Sequence, residues 1–292
     1  MRFFLGNFAQ SAIVEIVDDS NLCLILSSNK EVEYTGWWGK VPPSTMSSNQ
    51  FGSREARETT DSQQRKFFML GDSFTYGQGV NVEASLPYQI QEQFSFLDVW
   101  NYGVPGRDFY QFHAEIKRLL PQKPEWIVVN LFANDFDLPP QHCMLSDHAE
   151  RLFPLMRNCY SCRLALFQLV LSSPPPERPK EEQIQAIREH VQAMQALAQK
   201  DGIRLIFSFL TDRSSMEHNK SELPNIRQIL REEKATVIDL AYVWTFLSAQ
   251  PEKYIIHNEN HLNEEGNRIL AVEYAKQLHN IFQEQGIRTT DQ

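Results

Sequence analysis

Cysteine is scarce in this chain. Cys23, Cys143, Cys159 and Cys162 are the only four in 292 residues. That is too few for the disulfide framework of a small secreted protein, so a reducing compartment is the default expectation. Long apolar runs are also missing. No stretch of about 18 apolar residues occurs, so no membrane span is expected. The best apolar candidate, LALFQLVL at 164–171, reads as a buried or interfacial helix segment. The N-terminal MRFFLGNFAQSAIVE has one basic residue and an apolar patch interrupted by Gln10 and Glu15, which is short for a leader core. Positive charge is in deficit: 28 Lys and Arg against 37 Asp and Glu give a net charge of −9. This argues against a general nucleic-acid binder, which needs a basic face to displace phosphate counterions, and there is no polybasic membrane patch. Cytoplasm is the default location on these grounds, with envelope association as the alternative.

With 42% apolar and 22% charged residues the composition is that of an ordinary globular protein with ample core. Cys159 and Cys162 form a Cys-x-x-Cys, with His142, Cys143 and His148 upstream. A structural zinc site is the alternative reading, but no second Cys-x-x-Cys exists to support it. The expected reading is one amphipathic helix whose i and i+3 cysteines share a buried face. No metal or cofactor is therefore expected.

Residues 1–65 differ from the rest. AIVEIV and LCLILSS are short β-prone runs separated by the turn-rich DDSN. They predict a small hairpin, followed by an extended, polar wrapping segment that includes Trp37 and Trp38. We read 1–65 as an N-terminal β-rich extension and 66–292 as the main domain. From Lys66 onward strands and helices alternate. KFFML (66–70), DVWNYG (98–103), WIVVNLF (126–132), IRLIFSFL (203–210) and ATVIDL (235–240) read as strands. Between them lie helical stripes. Leu86, Ile90, Phe94 and Leu97 make one, with Ser85 as its cap and Pro87 in its first turn. Residues 136–180 interrupt the rhythm with a helix expected over about 146–172. A last helix begins near Asn263. The pattern predicts a three-layer α/β/α fold of flavodoxin-like type, with a five-stranded mostly parallel sheet, the N-terminal β extension and a helical insertion at 136–180.

In such sheets ligands bind beyond the carboxyl ends of the strands. Gly71-Asp72-Ser73 follows the first strand, Gly103 and Gly106 follow the second, and Asn134-Asp135 follows the third. His261 precedes the last helix. Each also has a plain structural reading: Ser73 as a helix cap, Gly106 as a turn glycine, Asn134 as a loop cap, His261 as a surface histidine. Their convergence on one sheet edge favours chemistry. A serine hydroxyl needs a base to become a nucleophile, and an imidazole is the usual one. His261 is the candidate and His257 the competing position.

The ordered set resembles the SGNH (GDSL-type) hydrolase family. That family's tags are Gly-Asp-Ser, a loop glycine, an Asn-Asp pair and a C-terminal Asp-x-x-His. Here they are Gly71-Asp72-Ser73, Gly106 five residues after Asn101, Asn134-Asp135 and His261, over about residues 66–285. The Gly-x-Ser-x-Gly elbow of another hydrolase class is absent around Ser73, because position 75 is Thr. The resemblance implies Ser73 as nucleophile and His261 as base. It also implies oxyanion donors from the Ser73 and Gly106 backbone and the Asn134 amide. It departs at the acid, since the position three before His261 is Asn258, an amide. Glu259, two before it, is similar to the acid-x-His arrangement of family branches that act on polysaccharide acetyl groups, so Glu259 is the expected orienter and Asn258 the alternative position. The implied activity is an esterase on a small acyl ester, such as an O-acetyl group on a carbohydrate. An O-acyltransferase using the same residues and an inactive binding protein with the same fold are the alternatives.

Overall fold

The computed structural model describes residues 13–16, 22, 24–35, 43–54, 64–132, 135, 180–210, 222–257 and 259–287. Buried parallel strands read as apolar runs because both faces are covered, and the five expected strands form on those runs. They are β5 (Arg65–Gly71), β6 (Leu97–Gly103), β7 (Trp126–Leu131), β8 (Arg204–Phe209) and β9 (Thr236–Asp239), in the order β6-β5-β7-β8-β9. Every pairing is parallel.

Alternation along β5 sends Phe67 and Met69 to one face and Phe68 and Leu70 to the other. On the first face they meet helices α2 (Leu86–Gln91), α6 (Ala241–Ser248) and α8 (Glu264–Glu284). On the second they meet α3 (Phe112–Leu119), α4 (Lys180–Lys200) and α5 (Glu222–Glu232). The stripe Ala271, Ala275, Leu278 and Phe282 lies in the first core, and Ile187, Val191, Met194 and Ala198 lie in the second. This is the three-layer architecture.

Two local expectations are corrected. The helix after residue 85 stops at Gln91, so Phe94 packs from a turn and Leu97 opens β6. Ser85 precedes that helix but does not cap it with its side chain. Its hydroxyl donates instead to the Val82 carbonyl at 2.6 Å.

The N-terminal region carries more sheet than the sequence suggested. The expected hairpin is present as β1 (Val14–Ile16) against β2 (Leu24–Leu26). The polar segment after it adds a second antiparallel pair, β3 (Lys30–Tyr34) against β4 (Ser44–Ser48). A small core of Ile13, Leu26, Tyr34, Met46, Tyr76 and Val104 joins these strands to the main sheet's loops. Trp37, Trp38, the four cysteines and the 146–172 helix lie outside the described residues. Among the described residues, no helix is long and apolar enough to cross a membrane.

Candidate active site

Strand β5 ends at Gly71, and a single helical turn, α1 (Ser73–Tyr76), starts two residues later. Asp72, not Ser73, is its cap: the Phe74 N–H donates to Asp72 Oδ1 at 2.9 Å. The Ser73 side chain is therefore not engaged in capping. The turn lies directly on the sheet because Gly103, paired with Gly71 across β5 and β6, has no side chain. A Cβ on Gly103 would come within 2.2 Å of the Tyr76 nitrogen. From the other side, Asn130 on β7 donates to Thr75 Oγ1 at 3.1 Å and accepts from the Tyr274 hydroxyl at 2.9 Å. Burial pushes the Tyr274 hydroxyl pKa up, so it stays a neutral donor. Strands β5, β6 and β7 and helix α8 thus fix the turn that presents Ser73.

His261 reaches this turn from 188 residues away. It sits in the loop between α7 (Pro251–Tyr254) and α8, closed by the antiparallel bridge Ile255–Leu262 and by the Ile256 N–H donating to the His261 carbonyl at 2.9 Å. Asn263 caps α8 through the Gly266 N–H at 2.9 Å, which holds the loop two residues from the imidazole. His261 Nε2 lies 2.8 Å from Ser73 Oγ, and Nδ1 lies 2.8 Å from Glu259 Oε2. A carboxylate can only accept, so Nδ1 carries the proton and Nε2 accepts from the Ser73 hydroxyl. The Glu259 side chain is 3% exposed and that of His261 8%, so the pair is shielded from water. Phe74 packs on the imidazole at 4.7 Å between ring centres and stacks on Phe132 at 4.3 Å, forming an apolar wall.

Gly106 lies in the turn after β6 with φ +85°, a left-handed conformation that favours glycine. The neighbouring Arg107 anchors this turn. Its buried guanidinium faces Glu115 at 3.2 Å and donates to the Leu24 carbonyl of β2 at 2.6 Å. Burial raises the Glu115 pKa, but Arg107 and Arg118 outweigh it and hold the carboxyl below its ordinary range. Asn134 and Asn258 lie outside the described residues. Asp135 is buried and accepts from the Phe132 N–H at 2.7 Å, bracing the chain just past β7. The competing histidine, His257, is exposed.

Sequence reasoning passed over four residues here. Tyr34 donates to Glu259 Oε1, and Gln78 donates to the Tyr34 oxygen at 2.7 Å. Arg54 donates to the carbonyls of Thr45, Tyr76, Gly77 and Val80, fastening β4 to the segment after α1. Asn130 is the fourth. None belongs to a motif. Tyr34 carried one weak signal, an aromatic residue closing the charged run KEVEY.

Ser73, His261 and Glu259 thus lie in one hydrogen-bonded line at the carboxyl edge of the parallel sheet, where ligands of such sheets bind. A sequence profile of the GDSL-like lipase/acylhydrolase family matches residues 69–225, more than half of the chain. The chain belongs to that family, and it is an ester hydrolase of the GDSL type. No protein with a curated description matches it in sequence. Among solved structures, the psychrotrophic esterase EstA of Pseudoalteromonas sp. is 12% identical. That match has a TM-score of 0.50 and covers 75% of this chain and 100% of that one. A member of the lipolytic G-D-S-L family from Veillonella parvula is 14% identical, with a TM-score of 0.48, over 73% of this chain and 97% of that one. At these identities the likeness is one of fold.

Proposed function

We propose that Ser73 is the nucleophile of a two-step ester hydrolysis, His261 its general base and acid, and Glu259 the carboxylate that orients the imidazole. The observation that carries this reading is the pair of 2.8 Å contacts on the two nitrogens of His261. Ser73 Oγ attacks the acyl carbon while its proton passes to His261 Nε2. The tetrahedral oxygen is held by the Ser73 and Gly106 backbone N–H groups and the Asn134 side-chain amide; each such donor lowers the barrier by about 3–4 kcal/mol. His261 then protonates the leaving alcohol, and the acyl group stays on Ser73. Water then attacks the acyl carbon and gives a proton to Nε2; the acyl–Oγ bond breaks, Ser73 Oγ takes that proton back, and the acid leaves. Glu259 at Nδ1 supplies the charge that Asn258 lacks, which supports an active enzyme over an inactive binding protein.

The substrate class proposed is a small acyl ester, with an O-acetyl group on a carbohydrate as the specific case. The acid-x-His spacing Glu259-Asn260-His261 supports it. The test is labelling with a fluorophosphonate probe, paired with p-nitrophenyl ester and acetylated-sugar hydrolysis. Ser73→Ala is expected to abolish both labelling and turnover. Equal labelling of wild type and Ser73→Ala, or preference for long acyl chains over acetyl, contradicts the corresponding half of the proposal.

A further inference from the structure

We infer that Tyr34, from strand β3 of the N-terminal region, is a positioning residue for the Glu259 carboxylate; this rests on the triad proposed above. Tyr34 ends β3 and is fully buried. Its ring is seated in the small apolar core with Met46, Tyr76 and Val104, while its hydroxyl meets Glu259 Oε1. The phenol has one proton, and the Gln78 Nε2 that contacts it can only donate. The Tyr34 proton is therefore directed at the carboxylate. Gln78 is itself tied to the nucleophile turn, because its backbone N–H donates to the Ser73 carbonyl at 3.0 Å. The contacts close a ring: Ser73, His261, Glu259, Tyr34, Gln78 and back to Ser73.

The chemistry of Glu259 explains why such a residue is needed. A glutamate has one more rotatable bond than an aspartate, so it is harder to hold in one geometry. Its carboxylate has two oxygens and His261 Nδ1 engages one. The other, almost shut off from water, needs a donor or it is left as an unpaired buried charge. Tyr34 supplies that donor from an element 225 residues away in sequence. Strand β3 thus holds the carboxylate and, through it, the plane of the imidazole.

The experiment is a double-mutant cycle in the full chain with p-nitrophenyl acetate. Tyr34→Phe removes only the hydroxyl. It is expected to lower kcat by about 10- to 100-fold, as small misplacements of a catalytic group do, with KM changed by less than about twofold. In a Glu259→Gln background the same substitution is expected to change kcat by less than about twofold, because the group it positions has gone. Should Tyr34→Phe not fold, Gln78→Met serves in its place, with a smaller kcat loss that also vanishes in the Glu259→Gln background. Wild-type kcat in Tyr34→Phe, or a loss of equal size in both backgrounds, overturns the inference and leaves the triad standing. Failure of the fluorophosphonate to label Ser73 in the wild-type protein overturns both.

Discussion

Strands β5 and β3 both end beside the imidazole–carboxylate pair, yet they reach it by different means. Strand β5 is buried over its last five residues, paired on both sides and pinned by two apolar cores, and Ser73 follows from where it must stop. Strand β3 has one partner, exposes Lys30, Glu31 and Glu33, and buries Tyr34 at its end. It is held by the small apolar core around Tyr34 and Met46, and the neighbouring strands β2 and β4 add polar contacts. Arg54 gathers four carbonyls, Arg107 reaches the Leu24 carbonyl, and the Leu24 N–H donates to Gln111 at 3.1 Å. The sheet therefore presents the reacting groups through packing. The hairpins restrain them through directional hydrogen bonds, which give less stability than a buried core but more geometric control.

The sharpest way to break the sheet side is Gly103→Ala. A Cβ there meets backbone atoms of α1 that cannot swing aside, so the turn carrying Ser73 must move. Stability is expected to fall by about 3 kcal/mol, with kcat falling together with the melting temperature in denaturation and activity assays. Unchanged stability would mean that α1 does not rest on the sheet as described. On the hairpin side, Arg54→Met keeps the bulk and strips the donors from four carbonyls. A loss of about 2–3 kcal/mol is expected by chemical denaturation. Guanidinium rescue is not needed to interpret it, because the comparison with Gly103→Ala shows which attachment is stronger.

A third effect depends on pH. Asp108 caps the turn after Gly106 by accepting from the Tyr110 N–H at 3.0 Å, and burial pushes its pKa up to about 6. An acid whose folded pKa is raised favours its protonated form in the fold. Its stabilising contribution is full below the unfolded value near 3.8 and is lost as pH rises toward about 6. Asp108→Asn does not titrate. The wild type should therefore lose stability relative to this variant between those two pH values, by at most about 1.4 kcal/mol per pH unit, and run parallel above. Parallel melting curves at every pH would contradict the buried ionisation.

The two regions also differ in how plainly the chain announced them. The five strands were legible because a strand covered on both faces has little room for polar residues, and runs such as WIVVNLF stand out. The fold class followed from their alternation with helical stripes. Gly71-Asp72-Ser73 and His261 could be picked out because each falls at a strand end or a helix start. The second hairpin was not legible. STMSS buries Ser44, Met46 and Ser48 on one face, and two serines in three inward positions give no hydrophobic alternation. Tyr34 and Gln78 were barely legible for a related reason. Their importance lies in contacts across 225 residues from Tyr34 to Glu259 and 44 from Gln78 to Tyr34, and nothing local encodes them. The helix boundary at Gln91 was missed because Phe94 and Leu97 kept a helical spacing while belonging to a turn and a strand.

The central claim is that Ser73 carries the acyl group. It is tested most directly by mixing the enzyme with excess p-nitrophenyl acetate, quenching in acid within one turnover, and locating any acetyl adduct by peptide mass spectrometry. We predict an acetyl group on Ser73 in the wild-type protein and none in His261→Ala. Turnover with no adduct on Ser73, or an adduct on a different residue that persists in Ser73→Ala, would contradict it.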